Sequence, residues 1–362
     1  MTSLLIVDDS RAFQYLLKKA LESLSDIHIA GSASNGRQAL LQMNAEKIDI
    51  VTLDVEMPIM DGLQTLKAIR AKHPNTFVIM VSSLTGYGAK VTLQALEDGA
   101  FDFIHKPDES DPERNFQSLK EQLVPIIQSI QRKIKLNSLM APKTPAKIQS
   151  PSSTSALPSP ASTVARRSLK PTIIGIGIST GGPNALKAVL PALPASFQTP
   201  IVLVQHMPPL FTQALAESLD KVCSQTVREA QQGERILNGH IYIAPGGKHM
   251  KVEKTLTGGI LHITDDPPER NCKPSVDVLF RSLAEGYGAQ TLAVIMTGMG
   301  SDGTAGLKAL KAKGAAILAQ DEATSTVYGM PYEAVKAGVV DEILPLSQLS
   351  FALQKRTSLT AS

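Results

Sequence analysis

Short apolar runs bounded by turn residues recur along the chain, with stretches of helical period between them. In the first third the runs are LLIV (4–7), HIAGSA (28–33), IDIVTLD (48–54), FVIMVSS (77–83) and FDFIHKP (101–107). They have the length of buried strands, and amphipathic segments such as Ala12–Ser23 and Leu63–Lys72 separate them. Strand and helix in strict alternation predict a parallel sheet with helices on both faces. The same alternation resumes late in the chain, with strands in TIIGIGIS (172–179), PIVLVQH (200–206), HIYIAP (240–245), GILHIT (259–264), TLAVIMT (291–297) and AAILAQ (315–320). Helical stretches are expected around Ala185–Leu190, Phe211–Val222, Ser275–Glu285 and Gly303–Lys311.

Between these regions, from Asn137 to Lys170, the composition turns abruptly to Pro, Ser, Thr, Ala and Lys. Too few large apolar residues remain there to order the segment, so it reads as a flexible linker. The chain therefore divides into residues 1–136, a linker at 137–170, and residues 171–362. A coil of 34 residues spans roughly 30 Å, so the first unit can reach the second without being held there by the chain alone.

Composition narrows the possibilities. At 43% hydrophobic residues the 362-residue chain has ample material for two packed cores. There is no leader with a basic start and no apolar run near the roughly 18 residues needed to cross a bilayer, so a cytoplasmic protein without membrane insertion is expected. Cys223 and Cys272 are expected as reduced thiols. The net charge of +3 is localised: residues 1–136 carry 15 Lys/Arg against 17 Asp/Glu, residues 171–362 carry 16 of each, and the linker carries 5 basic residues and no acidic ones. Neither folded unit has the basic footprint of a nucleic-acid-binding module.

In the first unit the chemistry stands at the strand ends. Asp8 and Asp9 follow the first strand, Asp54 ends the third, Ser82 and Ser83 the fourth, and Lys106 precedes Pro107 after the fifth. Carboxylates converging on one sheet edge repel one another unless a cation sits among them, and an oxygen-only donor set suits Mg²⁺. A lysine and a serine hydroxyl beside them can hold the oxygens of a phosphoryl group placed on one acid. Through LLIVDDS, TLDVEMPIMDG, VSSLT and HKP, residues 1 to about 125 resemble the receiver domain of two-component response regulators. That resemblance implies a flavodoxin-like domain with a five-stranded parallel sheet and Asp54 as phosphoryl acceptor. It further implies Asp8, Asp9, Asp54 and the Glu56 backbone carbonyl as Mg²⁺ ligands, and Ser82 and Lys106 as phosphoryl contacts. Phe103 matches the aromatic position that moves inward on activation, and a histidine kinase is the implied phosphodonor.

The second unit is organised around GIGISTGGP, a buried strand that stops in a glycine-bearing turn and reopens as a helix, leaving Ser179 and Thr180 at its carboxyl end. A dinucleotide site is disfavoured because the third glycine is misplaced and the next strand ends in Gln205 and His206 rather than an acid for the ribose. An α/β-hydrolase elbow is disfavoured because no histidine follows His262. A triad in the order serine, histidine, acid fits better. His206 ends the strand after the serine and suits a general base near neutrality. The acid is expected from another strand end, where TGMGSDG offers Asp302 in a glycine-rich loop able to turn backbone N–H groups toward an oxyanion. Asp265, Asp277 and Asp321 are rival acids.

Through GISTGGP, LVQHMP, YIAPGGKHM, KPSVDVLF, TGMGSDG and QDEATSTVYGMP, residues 172 to about 350 resemble the catalytic domain of the chemotaxis protein-glutamate methylesterases. The order receiver, linker, esterase is also that family's. The resemblance implies a doubly wound α/β domain with a Ser179, His206, Asp302 triad. It also implies an oxyanion contact from the Met299 N–H, support of the serine turn by Thr180, and no cofactor for the ester chemistry. The implied protein is a monomeric, phosphorylation-activated hydrolase that releases methanol from glutamyl methyl esters of chemoreceptors and deamidates receptor glutamines. The competing reading is a response regulator whose second domain only binds a partner.

Overall fold

The structure, a computed structural model, describes residues 1–22, 24, 26–107, 111–140 and 170–358. The first unit runs β1 (Thr2–Val7), α1 (Arg11–Leu21), β2 (Ile27–Ala33), α2 (Gly36–Ala45), β3 (Ile50–Asp54), α3 (Gly62–Lys72), β4 (Phe77–Ser82), α4 (Gly86–Glu97), β5 (Asp102–His105) and α5 (Pro112–Met140). Its five strands are parallel in the order β2-β1-β3-β4-β5. In that order the chain reverses direction between β1 and β3, which is where an open sheet of this kind leaves a crevice at its carboxyl edge. Side-chain caps set the helix starts: Ser10 accepts from the Phe13 N–H, Asn35 from the Gln38 N–H, and Asp61 and Gln64 form a reciprocal capping box.

Helix α5 continues through Met140, past the first residues of the expected linker; the remainder of that linker, 141–169, lies outside the described residues. The second unit runs β6 (Ile173–Ile178), α6 (Gly182–Val189), β7 (Ile201–Gln205), α7 (Phe211–Asp220), β8 (Thr226–Glu229), β9 (Arg235–Ile236), β10 (His240–Ile243), β11 (His249–Thr255), β12 (Gly258–Thr264), α8 (Val276–Gly286), β13 (Thr291–Ile295), α9 (Thr304–Ala312), β14 (Ala316–Gln320), α10 (Met330–Lys336), β15 (Glu342–Leu344) and α11 (Leu346–Thr357). Seven strands form one parallel sheet in the order β15-β14-β13-β6-β7-β10-β8. The expected strand GILHIT forms, but as β12 in a separate antiparallel sheet with β11 and β9. Its alternation of apolar and polar residues, with one face solvated, is that of an antiparallel edge structure and not of a strand buried on both faces.

The two units pack against each other. One buried apolar cluster contains Leu93 and Leu96 of α4 together with Leu186 of α6 and Phe211 and Leu215 of α7. The Asn184 side chain donates to the Leu96 carbonyl at 2.8 Å, Lys187 pairs with Glu97, and Lys90 lies 3.5 Å from Glu217. This contact brings the carboxyl edge of the second sheet under the first unit. Among the described residues, no helix is long and apolar enough to cross a membrane.

Candidate functional sites at the two sheet edges

At the carboxyl edge of the first sheet, Asp8, Asp9 and Asp54 each bring a carboxylate oxygen within 4.8 Å of the others. Asp8 and Asp54 are buried, and Lys106 Nζ reaches both, at 2.9 and 2.7 Å. Burial, followed by the charge of Asp8, pushes the Asp54 carboxyl up to about 6, against the pull of Lys106 and of the Glu56 backbone N–H. A buried carboxylate whose proton affinity is raised by a neighbouring acid, in an oxygen-only cluster, belongs to a donor set that fits Mg²⁺. Ser82 ends β4 beside β3, fully buried, with its hydroxyl on the Ser83 carbonyl at 3.3 Å. Phe103 lies on the other flank of β5, outside the acidic cluster, stacked on Phe211 of the second unit.

The second site is assembled from the ends of three adjacent strands, β13, β6 and β7. Ser179 follows β6; its N–H donates to the Thr297 carbonyl at 2.9 Å, and the Thr297 hydroxyl donates to the Thr180 carbonyl at 2.9 Å. Gly181 turns the chain into α6 with φ +75°, where a Cβ would also strike Thr326. A Cβ on Gly298 would lie 2.7 Å from the Ser179 Cβ, so only glycine lets the loop after β13 close on the serine.

His206 follows β7, and its Nε2 lies 2.8 Å from Asp302 Oδ2. Asp302 is buried at the amino end of α8, where it accepts from the Val276 N–H at 2.7 Å, the Ser275 hydroxyl at 2.9 Å, and the Asp277 and Gly303 N–H groups at 3.0 Å each. Burial alone would raise its pKa, but the His206 bond and charge and the α8 amides hold it at about 2. His206 is shifted the other way. Burial would lower it, but hydrogen bonds to Asp302 and Cys272, with their charges, raise it to about 10. The pairing with Asp302 thus favours the imidazolium, the form that arises when the ring takes up a proton. Among the described residues no hydrogen bond joins the Ser179 hydroxyl to His206, and none is donated by the Met299 amide.

The rival acids go elsewhere: Asp265 pairs with Lys248 and Lys273, Asp277 accepts from Gly306, and Asp321 binds Thr324. Two residues are missing from the expected site. Ser275 orients Asp302 while capping α8, a role signalled by a serine just before the apolar run VDVLF. Gln205, buried beside His206, donates to the Ser179 carbonyl at 2.9 Å and holds the serine turn. Only the pairing of β6 with β7 reveals that role.

A cavity of ≈ 720 Å³ lies over Ser179, His206 and Asp302, and its far wall belongs to the first unit, including Phe103, His105, Gln122 and Ile126. Met299 packs against the apolar core of that unit.

Residues 4–114 match the family model of the response regulator receiver domain, and residues 174–353 match that of the CheB methylesterase. A protein-glutamate methylesterase/protein-glutamine glutaminase of Desulfotalea psychrophila is 43% identical over 349 residues, 96% of each chain. One of the same name from Geobacillus kaustophilus is 42% identical over 354 residues, 96% of this chain and 97% of the other. The crystal structure of the Thermotoga maritima CheB methylesterase catalytic domain superimposes with a TM-score of 0.50 at 40% identity, covering 52% of this chain and 99% of that one.

Proposed function

The chain belongs to the family of protein-glutamate methylesterases/protein-glutamine glutaminases, and from that premise we propose that it hydrolyses glutamyl methyl esters of chemoreceptors under the control of its receiver domain. Ser179 attacks the ester carbonyl, and His206 in its neutral form takes the proton on the ring nitrogen not engaged by Asp302. Asp302 fixes the ring and stabilises the cation so formed. The developing oxyanion lies toward the free Met299 N–H, with Thr180 supporting the serine turn. Methanol leaves, and water activated by the same imidazole cleaves the acyl-serine to glutamate. Receptor glutamine follows the same path with ammonia as leaving group. The observation that carries this reading is the Asp302–His206 pair at the strand ends flanking Ser179, inside a cavity large enough for a side-chain ester.

Control comes from the other sheet edge. A chemotaxis histidine kinase supplies the phosphoryl group to Asp54, with Lys106 and Ser82 on its oxygens. Asp8, Asp9, Asp54 and the Glu56 carbonyl would hold Mg²⁺, which neutralises the crowded carboxylates when bound. Without the phosphoryl group the receiver walls off the Ser179 cavity. The protein works in the cytoplasm as a monomer on the cytoplasmic parts of its receptors.

The test is labelling with a fluorophosphonate. The wild-type chain should be modified at Ser179 and the His206→Ala variant should not, since the serine is nucleophilic only with its base. Equal labelling of the two, or labelling at another serine, would remove the triad.

A further inference from the structure

Cys272 is an ionisable neighbour of the triad to which the ester chemistry gives no task. It lies in the loop before α8, half-buried, on the wall of the Ser179 cavity. Its sulfur, a ring nitrogen of His206 and a carboxylate oxygen of Asp302 all lie within 4.8 Å of one another. From these positions we infer that His206, Cys272 and Asp302 form an inhibitory binding site for a zinc-class divalent cation, with the fourth coordination position open to the cavity.

The donor set selects the ion. One thiolate, one imidazole and one carboxylate suit Zn²⁺ and exclude Mg²⁺ and Ca²⁺, which take oxygen alone. Tetrahedral Zn²⁺ holds such ligands roughly 3.5 Å apart. The 2.8 Å His206–Asp302 contact therefore opens slightly as the ion replaces the shared proton. Asp302 is already fixed by Ser275 and three backbone amides, the outer support that orients a metal-binding carboxylate. Thiolate and neutral imidazole are the ligating forms, so the site strengthens as pH rises. Occupation removes the base: with the ion on the nitrogen that faces Asp302, the remaining ring proton sits on the nitrogen that must accept from Ser179. That inhibition rests on the esterase reading, whereas the binding does not.

The test uses the full-length chain with Mg²⁺ in excess, so that the receiver carboxylates are already satisfied, and Co²⁺ as a spectroscopic stand-in for Zn²⁺. One equivalent of Co²⁺ should give the near-ultraviolet band of a thiolate–cobalt bond, abolished by added Zn²⁺, absent in Cys272→Ser and Cys272→Ala, and retained in Cys223→Ala. In parallel, Zn²⁺ should inhibit methanol release from methylated receptor membranes, reversibly with chelator. Relative to each variant's own metal-free rate, loss of Cys272 should weaken that inhibition by about tenfold or more. Absence of the thiolate band in the wild type, or its persistence without Cys272, overturns the site. The band without inhibition upholds the site and instead removes His206 from the base role.

Discussion

Phe103 of the receiver and Phe211 of the catalytic domain lie face to face, their ring centroids 4.7 Å apart and their planes within 5°. Phe103 occupies the position whose movement the receiver resemblance ties to activation, so the stack links the phosphorylation site to the cover over Ser179. A stacked pair contributes about 1 kcal/mol beyond its buried area, which is worth roughly a fivefold shift in the balance of covered and open forms. Phe103→Ala should therefore raise methanol release by the unphosphorylated protein several-fold, toward the rate of a fragment beginning at Pro171. A variant no faster than wild type, with the fragment equally slow, would mean that the receiver does not act as a cover.

Asp102 gives that contact a pH dependence. Its carboxyl sits at the junction within hydrogen-bonding reach of Thr180, and burial lifts it to about 6 although the Phe103 N–H and Thr180 pull it partly back. A carboxyl raised in the covered form is bound with its proton, so covering is unopposed below the ordinary value of 3.8 and is opposed increasingly as the pH climbs through about 6. Activity of the unphosphorylated chain, normalised to the Pro171 fragment to cancel the triad's own titration, should fall as pH drops from about 7 to about 5. Asp102→Asn should flatten this ratio and lower it at neutral pH. An unchanged ratio would place the carboxyl outside the switch.

The receiver site makes a simpler demand. Incubation with a small phosphodonor and Mg²⁺ should label Asp54, and Asp54→Asn should abolish the label because an amide is a poor acceptor. Chelation should suppress labelling of the wild type, since the Asp8 and Asp54 charges would again oppose an incoming phosphoryl group. Undiminished labelling of the variant would move the acceptor elsewhere, with Asp9 the next candidate.

Ser275 has two tasks, capping α8 and donating to Asp302. Ser275→Ala should cost about 1 kcal/mol of stability through the lost cap, visible in urea unfolding. It should also lower kcat for methanol release with little change in KM, because Asp302 loses a donor that fixes it against His206. Loss of stability with kcat intact would reduce Ser275 to a cap alone.

Much of this organisation was legible in the chain itself. Strands buried on both faces read as apolar runs, and the residues that break each run, Asp8, Asp54, Lys106, Ser179 and His206, stand where a parallel sheet presents its chemistry. The fold pattern placed Asp302 among several acids; the contact with His206, across a separation of 96 residues, distinguishes it. What depends on packing between distant segments was not legible. Cys272 lies in a loop without periodic pattern, and nothing local marks it as a neighbour of His206. The β9–β12–β11 sheet was half seen, because HMKVEKT is too polar to register as a core strand. The cover over the cavity needs the α4 and β5 surfaces of one unit to meet α6 and α7 of the other, which no single stretch encodes.

The central claim, that Ser179 is the nucleophile of a receptor esterase, is tested most directly by methanol release from methylated receptor membranes by Ser179→Ala beside the wild type, both with phosphodonor. The half-buried hydroxyl makes no side-chain hydrogen bond among the described residues, so the variant should fold and unfold like the parent. Its rate should fall by about a thousandfold or more, as when a triad loses its nucleophile. Release at a wild-type rate by the folded variant would contradict the account.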